Sequence, residues 1–215
     1  VLSQAVALNK AFTKHIVSQY GIRTVPFRVY RRADISRICF DEPCVIKPLD
    51  GGSSVGVSIV KTPADFSTGL QKAFVESESI LVERYISGKE YTVAIVETRG
   101  EMTALPVIAI QPKTAFFDLQ SKYNASLVEE VCPALISSDL RDRLQEAARR
   151  VHLCLGAKHL SRSDFMVDEE GNEWFLEINT IPGLTDTSLV PKAVRAAGMD
   201  LGSLLSEWVV SHLNH

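Results

Sequence analysis

The 215-residue sequence has four cysteines, Cys39, Cys44, Cys132 and Cys154, and none of them forms a Cys-x-x-Cys pair. No His-x-x-x-His accompanies them, so a zinc knuckle or a disulfide framework is not expected. Such scattered thiols suit a reducing, cytoplasmic setting as apolar core residues. No apolar run reaches the about 18 residues of a membrane span, so no membrane partner is expected. The net charge is −3, which gives no general attraction for nucleic acid or an anionic lipid surface. Cations that meet a phosphate must therefore be local. The start, Val1-Leu2-Ser3-Gln4, has neither a basic segment followed by an apolar core nor an initiator Met. It is not a signal peptide, and the expectation is a chain that begins inside a longer protein. Internal repeats and low-complexity tracts are absent, and so are a Walker A loop and a Gly-x-Gly-x-x-Gly turn.

What is present is an ordinary globular composition, 46% hydrophobic and 23% charged, enough for one or two domains. Apolar spacing predicts a helix over 3–20, closed by Gly21, then an extended stretch over 24–30, where Pro26 disfavours helix. Strands are predicted at 44–47 and 55–60. A helix over 62–76 starts with Thr62, Pro63 and Asp65 as cap, first residue and first-turn acid. Further strands are predicted at 79–86, 90–97 and 103–110, and a long polar loop over 112–130. A helix starts at Ser138, a hairpin joins 164–167 to 174–178, and two short helices separate near Gly198. A division near Ser87-Gly88 leaves two halves, 1–86 and 87–215. Both mix helices with largely antiparallel strands, an α+β reading with a cleft between the halves.

Four clusters carry chemistry. Lys47 ends a strand and is followed by Asp50-Gly51-Gly52-Ser53-Ser54, where small residues let backbone N–H groups approach phosphate oxygens. A plain hairpin turn explains the same residues. Asp164 lies on one strand of the hairpin, and Glu177 and Asn179 lie two apart on the other, sharing a face. Three oxygen donors there suit Mg²⁺. The alternative is solvated edge carboxylates, but Glu177 is flanked by Phe175, Leu176 and Ile178. Arg162 lies two residues before Asp164, either beside a bound phosphate, where it would neutralise developing charge, or in a surface ion pair. In Thr180–Leu189, Pro182-Gly183 marks a turn whose hydroxyls and N–H groups suit a substrate carboxylate.

In this order the segments resemble the D-alanine–D-alanine ligases, over about Ala5 to Val209. The resemblance rests on several segments in sequence. They are Lys47-Pro48 with Gly52-Ser53-Ser54-Val55-Gly56, Glu83 through Glu90, and Phe116-Phe117-Asp118 with Lys122-Tyr123. Cys132-Pro133-Ala134, Arg162-Ser163-Asp164, Glu177-Ile178-Asn179 and Ser188-Leu189-Val190-Pro191 follow. It implies an ATP-grasp fold, with a linker helix and small subdomain over 1–86 and a C-terminal subdomain with the metal and substrate site over 87–215. It implies that ATP phosphorylates one D-alanine and the amine of a second attacks the acyl phosphate, giving D-alanyl-D-alanine for peptidoglycan. Lys10, Lys47, Ser53 and Ser54 would hold the phosphates. Glu83, Arg84 and Ile86 would line the adenine site, and Glu90 would meet the ribose. Lys122 would reach the transferred group when a mobile loop closes. Asp164, Glu177 and Asn179 would bind Mg²⁺ or Mn²⁺, with two ions expected. Arg162 and the Gly183 backbone would stabilise the oxyanion, and Ser188 and Leu189 would hold the second substrate.

There are departures from the family pattern. Gly51 stands where many members carry Glu, Thr180-Ile181-Pro182 replaces a more usual Thr-Ser-Pro, and Thr187 replaces a common His. The resemblance also implies a first domain, which supplies an acid for the ammonium of the first D-alanine; no residue here takes that role. Tyr123 is the residue of dipeptide-forming members and favours D-alanine over D-lactate. A homodimer is compatible with the resemblance. Another ATP-grasp carboxylate–amine ligase, and a fragment that binds ATP without turnover, are the competing expectations.

Overall fold

The computed structural model describes residues 1–51, 55–112 and 128–213. Its first sheet has four antiparallel strands: β1 (Phe27–Arg31), β2 (Cys44–Pro48), β3 (Ser58–Val60) and β4 (Ser79–Arg84), in the order β1-β4-β2-β3. Helices are numbered in chain order, and α3 (Pro63–Glu76) covers one face of this sheet. Alternation along each strand decides which side chains it covers. Cys44, Ile46, Val60 and Ile80 turn towards Phe66, Leu70, Ala73 and Phe74 of the helix and form a buried cluster. The intervening positions, Val45, Lys47, Ile59 and Glu83, turn to the other face, which lines a cleft.

The second sheet has six strands. These are β5 (Gly88–Thr98), β6 (Glu101–Ala104), β7 (Ile108–Pro112), β8 (Val128–Val131), β9 (Leu160–Asp168) and β10 (Glu173–Asn179). The order is β10-β9-β5-β7-β8, with β6 paired to β5 beyond the end of β7, and every pairing is antiparallel. Gly88 opens β5 where an added Cβ would lie 2.1 Å from the Val167 carbonyl oxygen, so no larger residue fits that crossing. Helices α1 (Leu2–Leu8), α2 (Lys10–Gln19) and α4 (Ser138–Cys154) cover one face. There Val17, Leu144 and Val151 bury Tyr91, Val93, Phe165 and Phe175. On the other face α5 (Leu189–Ala196) and α6 (Leu201–Leu213) cover only one end, burying Ala94, Val96, Ile108 and Leu160. Further along the same face, Glu90, Ile110, Asp164 and Met166 turn to the cleft shared with the first sheet.

Several sequence expectations change. The helix over 3–20 breaks at Asn9, whose backbone is extended and whose side chain accepts from Phe12 N to cap α2. Both pieces pack on the second sheet, although the division at 86 groups them with the first. The strand over 103–110 becomes β6 and β7, because Pro106 has no N–H for a ladder and Leu105 N donates to Ala94 instead. Residues 55–56 are turn, and only 58–60 are strand. Of the loop expected over 112–130, Pro112 ends β7, residues 128–130 belong to β8, and residues 113–127 lie outside the described residues.

Candidate functional site

The first wall of the cleft is built on two neighbouring strands. Lys47 of β2 and Glu83 of β4 are both buried, and Nζ lies 2.6 Å from Oε2. Glu83 Oε1 lies 2.8 Å from Nζ of Lys14, so one buried carboxylate is shared by two ammonium groups. Burial alone would raise the Glu83 pKa, but the two ammonium groups outweigh it and hold the carboxyl below the usual range. Burial likewise pulls Lys47 down, yet Glu83, Glu177 and Glu90 leave it above its ordinary value. Burial dominates at Lys14, whose pKa is lowered. A fixed, protonated Lys47 thus stands at the cleft with its charge only partly spent on Glu83.

Lys10 enters from the first turn of α2. Its Nζ donates to Gly51 O at 2.8 Å and to Pro48 O at 3.4 Å, and burial lowers its pKa. It therefore stands at the entrance to the glycine- and serine-rich loop, of which Ser53 and Ser54 lie outside the described residues. Arg84 is exposed and pairs with Glu42 at 3.6 Å, while half-buried Ile86 and Glu90 line the cleft between the sheets. Val45, Ile59, Met166 and Leu176 give the cleft two apolar sides suited to a flat ring. Sequence reasoning missed these four; strand alternation was the signal that could have found Val45, Ile59 and Met166, whereas Leu176 and its neighbour Glu177 both reach the cleft at an irregularity of β10.

The second wall depends on one irregularity. Phe175 stands opposite Phe165, but Glu177 stands opposite Asp164, because a bulge shifts the register between them. Strict alternation would place Phe175 and Glu177 on one face. The bulge lets Phe175 sink into the core with no exposed surface while Glu177 turns to the cleft beside Asp164. Asn179 follows opposite Arg162. Asp164 is buried and accepts from Arg162 Nε at 3.0 Å and Nη2 at 2.8 Å, and closely from Thr92 Oγ1. Asp164 is also the main cause of the raised pKa of Arg162.

Among the described residues, no group of three or more His, Cys, Asp or Glu side chains is placed to hold a metal. The oxygen set of Asp164, Glu177 and Asn179 has two carboxylates and one amide, and Asn179 Oδ1 accepts from Ile181 N at 3.0 Å. Such a set suits a hard cation that completes its shell with water and phosphate oxygens. Asp164 meets it only by sharing its oxygens with Arg162 and Thr92.

The main cleft holds about 910 Å³ and is lined by Lys10, Lys47, Glu83, Arg84, Ile86, Glu90, Asp164 and Glu177. A hollow of about 580 Å³ adjoins it through Lys10 and Glu177. Arg162, Asn179, Gly183, Ser188 and Leu189 line that hollow. At Gly183 a Cβ would lie 2.8 Å from Ser188 Oγ, so glycine permits the two ends of the turn to meet. Ser188 precedes α5, and its Oγ lies 2.7 Å from Thr185 Oγ1. Lys122 and Tyr123 lie outside the described residues. Lys14 and Thr92 escaped the sequence reading: Lys14 follows Lys10 by one helical turn, and Thr92 shares a strand face with Glu90.

A family model described as "D-ala D-ala ligase C-terminus" matches residues 16–210. The chain is 38% identical over 208 residues to a D-alanine–D-alanine ligase of Geotalea uraniireducens, covering 95% of this chain and 66% of that protein. Among solved structures it is similar to a D-alanine–D-alanine ligase from Bacillus anthracis, with a TM-score of 0.82 and 30% identity, covering 99% of this chain and 69% of that one. It is also similar to the VanG D-Ala:D-Ser ligase from Enterococcus faecalis, with a TM-score of 0.84 and 28% identity, covering 97% and 62%. The chain thus spans about two thirds of the length of the curated relatives it matches.

Proposed function

The chain belongs to the D-alanine–D-alanine ligase C-terminal family, and from that premise we propose that it is the ATP- and metal-binding part of an enzyme joining two D-alanines in the cytoplasm for peptidoglycan synthesis. The observation that carries this reading is the facing of two walls across one cleft: Lys47, fixed by Glu83, on one side, and Asp164 with Glu177 on the other. ATP lies between residues 9–86 and residues 87–215, in the cleft between the two sheets. Its adenine sits between the apolar side chains near Ile86, and its phosphates meet Lys47 and Lys10.

Asp164, Glu177 and Asn179 hold Mg²⁺ or Mn²⁺, which neutralises phosphate charge when bound. Phosphoryl transfer asks little of the protein beyond position and charge. Lys47 and Lys10 orient the phosphates towards the adjoining hollow, where the carboxylate of the first D-alanine accepts the γ-phosphoryl group and ADP leaves. The amine of the second D-alanine then attacks the acyl carbon. Arg162 and the Gly183 N–H stabilise the oxyanion of that step. Ser188 and Leu189 hold the second carboxylate. Release of phosphate and the amine proton completes the peptide bond.

Two measurements test this. Calorimetry on the chain should show ADP binding that Mg²⁺ strengthens. A protein of the relatives' full length that contains this chain should release phosphate only when D-alanine is added, and D-serine and D-lactate serve as competing substrates. Arg162→Ala should lower that turnover by about 100-fold or more, the cost of removing one oxyanion donor. Turnover that ignores D-alanine while ADP still binds would leave the nucleotide site standing and remove the substrate assignment.

A further inference from the structure

Lys14 has a side chain with no exposed surface. A buried ammonium is costly unless charge and hydrogen-bond partners surround it. Its partners belong to different sheets. One is Glu83 of β4, 2.8 Å away, the residue that also pairs with Lys47. The other is the main-chain carbonyl of Phe175 in β10, which accepts from Lys14 Nζ at 3.1 Å. The ammonium also lies 5.7 Å from the centre of the Phe175 ring.

Phe175 is the residue at which the bulge begins, and β10 is the edge strand of its sheet, so main-chain groups that point away from β9 need partners outside the ladder. Both are met by one stretch of chain. Phe175 N donates to Arg23 O at 2.8 Å, and the adjacent Thr24 makes an isolated parallel bridge to Phe175. The carbonyl goes to Lys14. Residues 14–24 therefore hold Phe175, where the bulge begins, by both of its main-chain polar groups, and the bulge is what turns Glu177 to face Asp164.

We propose that Lys14 is a positioning residue serving both walls of the cleft: through Glu83 it fixes Lys47, and through the Phe175 carbonyl it fixes the bulge that aims Glu177. This rests on the nucleotide and metal reading above. Lys14 touches neither ligand. It keeps the phosphate-binding cation and the metal-binding carboxylate in register with each other, although β2 and β10 lie in separate sheets.

The test is Lys14→Met, which keeps the unbranched apolar stem, removes the ammonium and leaves Glu83 paired with Lys47. ADP affinity in EDTA reads the Lys47 arm. The gain in ADP affinity on adding Mn²⁺ reads the Glu177 arm. In a variant that folds, both should fall, the Mn²⁺ gain by about 10-fold, as for other groups that orient metal ligands. The ¹³C shift of the Phe175 carbonyl should also move as its donor is lost. A variant that only melts earlier, with both affinities within about twofold of the parent, overturns the proposal.

If Lys14→Met does not fold, Lys14→Gln removes the charge and keeps an N–H donor one bond shorter in reach, and an unchanged ¹³C shift of the Phe175 carbonyl selects it as the variant that still donates there. The expected pattern is then a retained Mn²⁺ gain with reduced affinity in EDTA, and any other pattern overturns the proposal. A parent chain that binds no ADP with or without Mn²⁺ removes the nucleotide reading instead. In that case the carbonyl shift alone decides whether Lys14 holds the bulge.

Discussion

At the scale of single residues, Asp164 is the most heavily engaged carboxylate of the site. Arg162 meets both of its oxygens, and Thr92, 1% exposed, meets one of them from the neighbouring strand. Three donors fix one rotamer, so the carboxylate reaches a cation without first being ordered. Thr92 is the donor that can be removed without disturbing a charge. Thr92→Val should leave the Arg162 pair intact and lower the metal-dependent gain in ADP affinity by about 10-fold, as for other supports of metal ligands. Its effect on affinity in EDTA should be small, because Lys47 and Lys10 are untouched. Titrations with and without Mg²⁺ separate the two. Equal loss in both conditions would mean that Thr92 supports the whole sheet and not Asp164. The valine also leaves a buried carboxylate one hydrogen bond short, a loss of about 1.5–3 kcal/mol for a charged partner.

At the scale of elements, the β9–β10 hairpin carries the metal-facing residues, and its turn is closed by Asp168. This carboxylate accepts from Trp174 Nε1 at 2.8 Å, from Asn172 N and Nδ2 at 2.8 and 3.1 Å, and from Glu170 N at 3.1 Å. Those bonds, the Trp174 one first, hold its pKa at about 2. A carboxylate unfolds with a pKa of about 3.9, so between these values the unfolded chain binds the proton first. The contribution of Asp168 is present above that window and is lost as pH falls through it. Asp168→Asn should therefore melt below the parent at pH 5, with the gap narrowing towards pH 2. A gap that stays constant through the window would mean that charge plays no part in closing the turn. This hairpin was legible from its alternation and its Glu-Glu-Gly-Asn turn, as were α3 from its start at Thr62, Pro63 and Asp65 and α4 from its apolar spacing. The bulge was not legible. Phe175 and Glu177 obey alternation as letters, and only a register shift separates a core ring from a cleft carboxylate. Lys14 was not legible for a related reason. One turn after Lys10 it reads as part of a solvated helix face, and its burial comes from Glu83 and Phe175, the latter 161 residues away. Alternation and spacing report local geometry; contacts that distant are set by how the sheets meet.

At the scale of the whole molecule, each sheet has its own core, one around Ile46, Phe74 and Ile80 and another around Val93, Leu144 and Phe165. What joins them on the described side of the cleft is largely polar. Lys14 reaches Glu83, Lys10 reaches Gly51, and Lys10 N donates to Leu49 O. A nucleotide seated between the walls would add a second set of links, binding the native arrangement and not the unfolded chain. Such a ligand stabilises by about 2.7 kcal/mol at 100 times its dissociation constant. How that stabilisation spreads distinguishes a bridging ligand from one that sits on a single wall. A ligand held only by Lys47 and Lys10 would slow hydrogen exchange in β2 and β4 alone. A ligand that also engages Asp164 and Glu177 should slow exchange in β9 and β10 by a similar factor, because opening either sheet then breaks contacts to the same molecule. The expected result with saturating Mg·ADP is matched slowing in Cys44–Pro48, Ser79–Arg84 and Leu160–Asp168, and with ADP in EDTA, slowing confined to the first two. Protection confined to the first sheet even with Mg²⁺ would place the metal away from Asp164 and Glu177 and would leave Lys47 as the centre of a one-walled site.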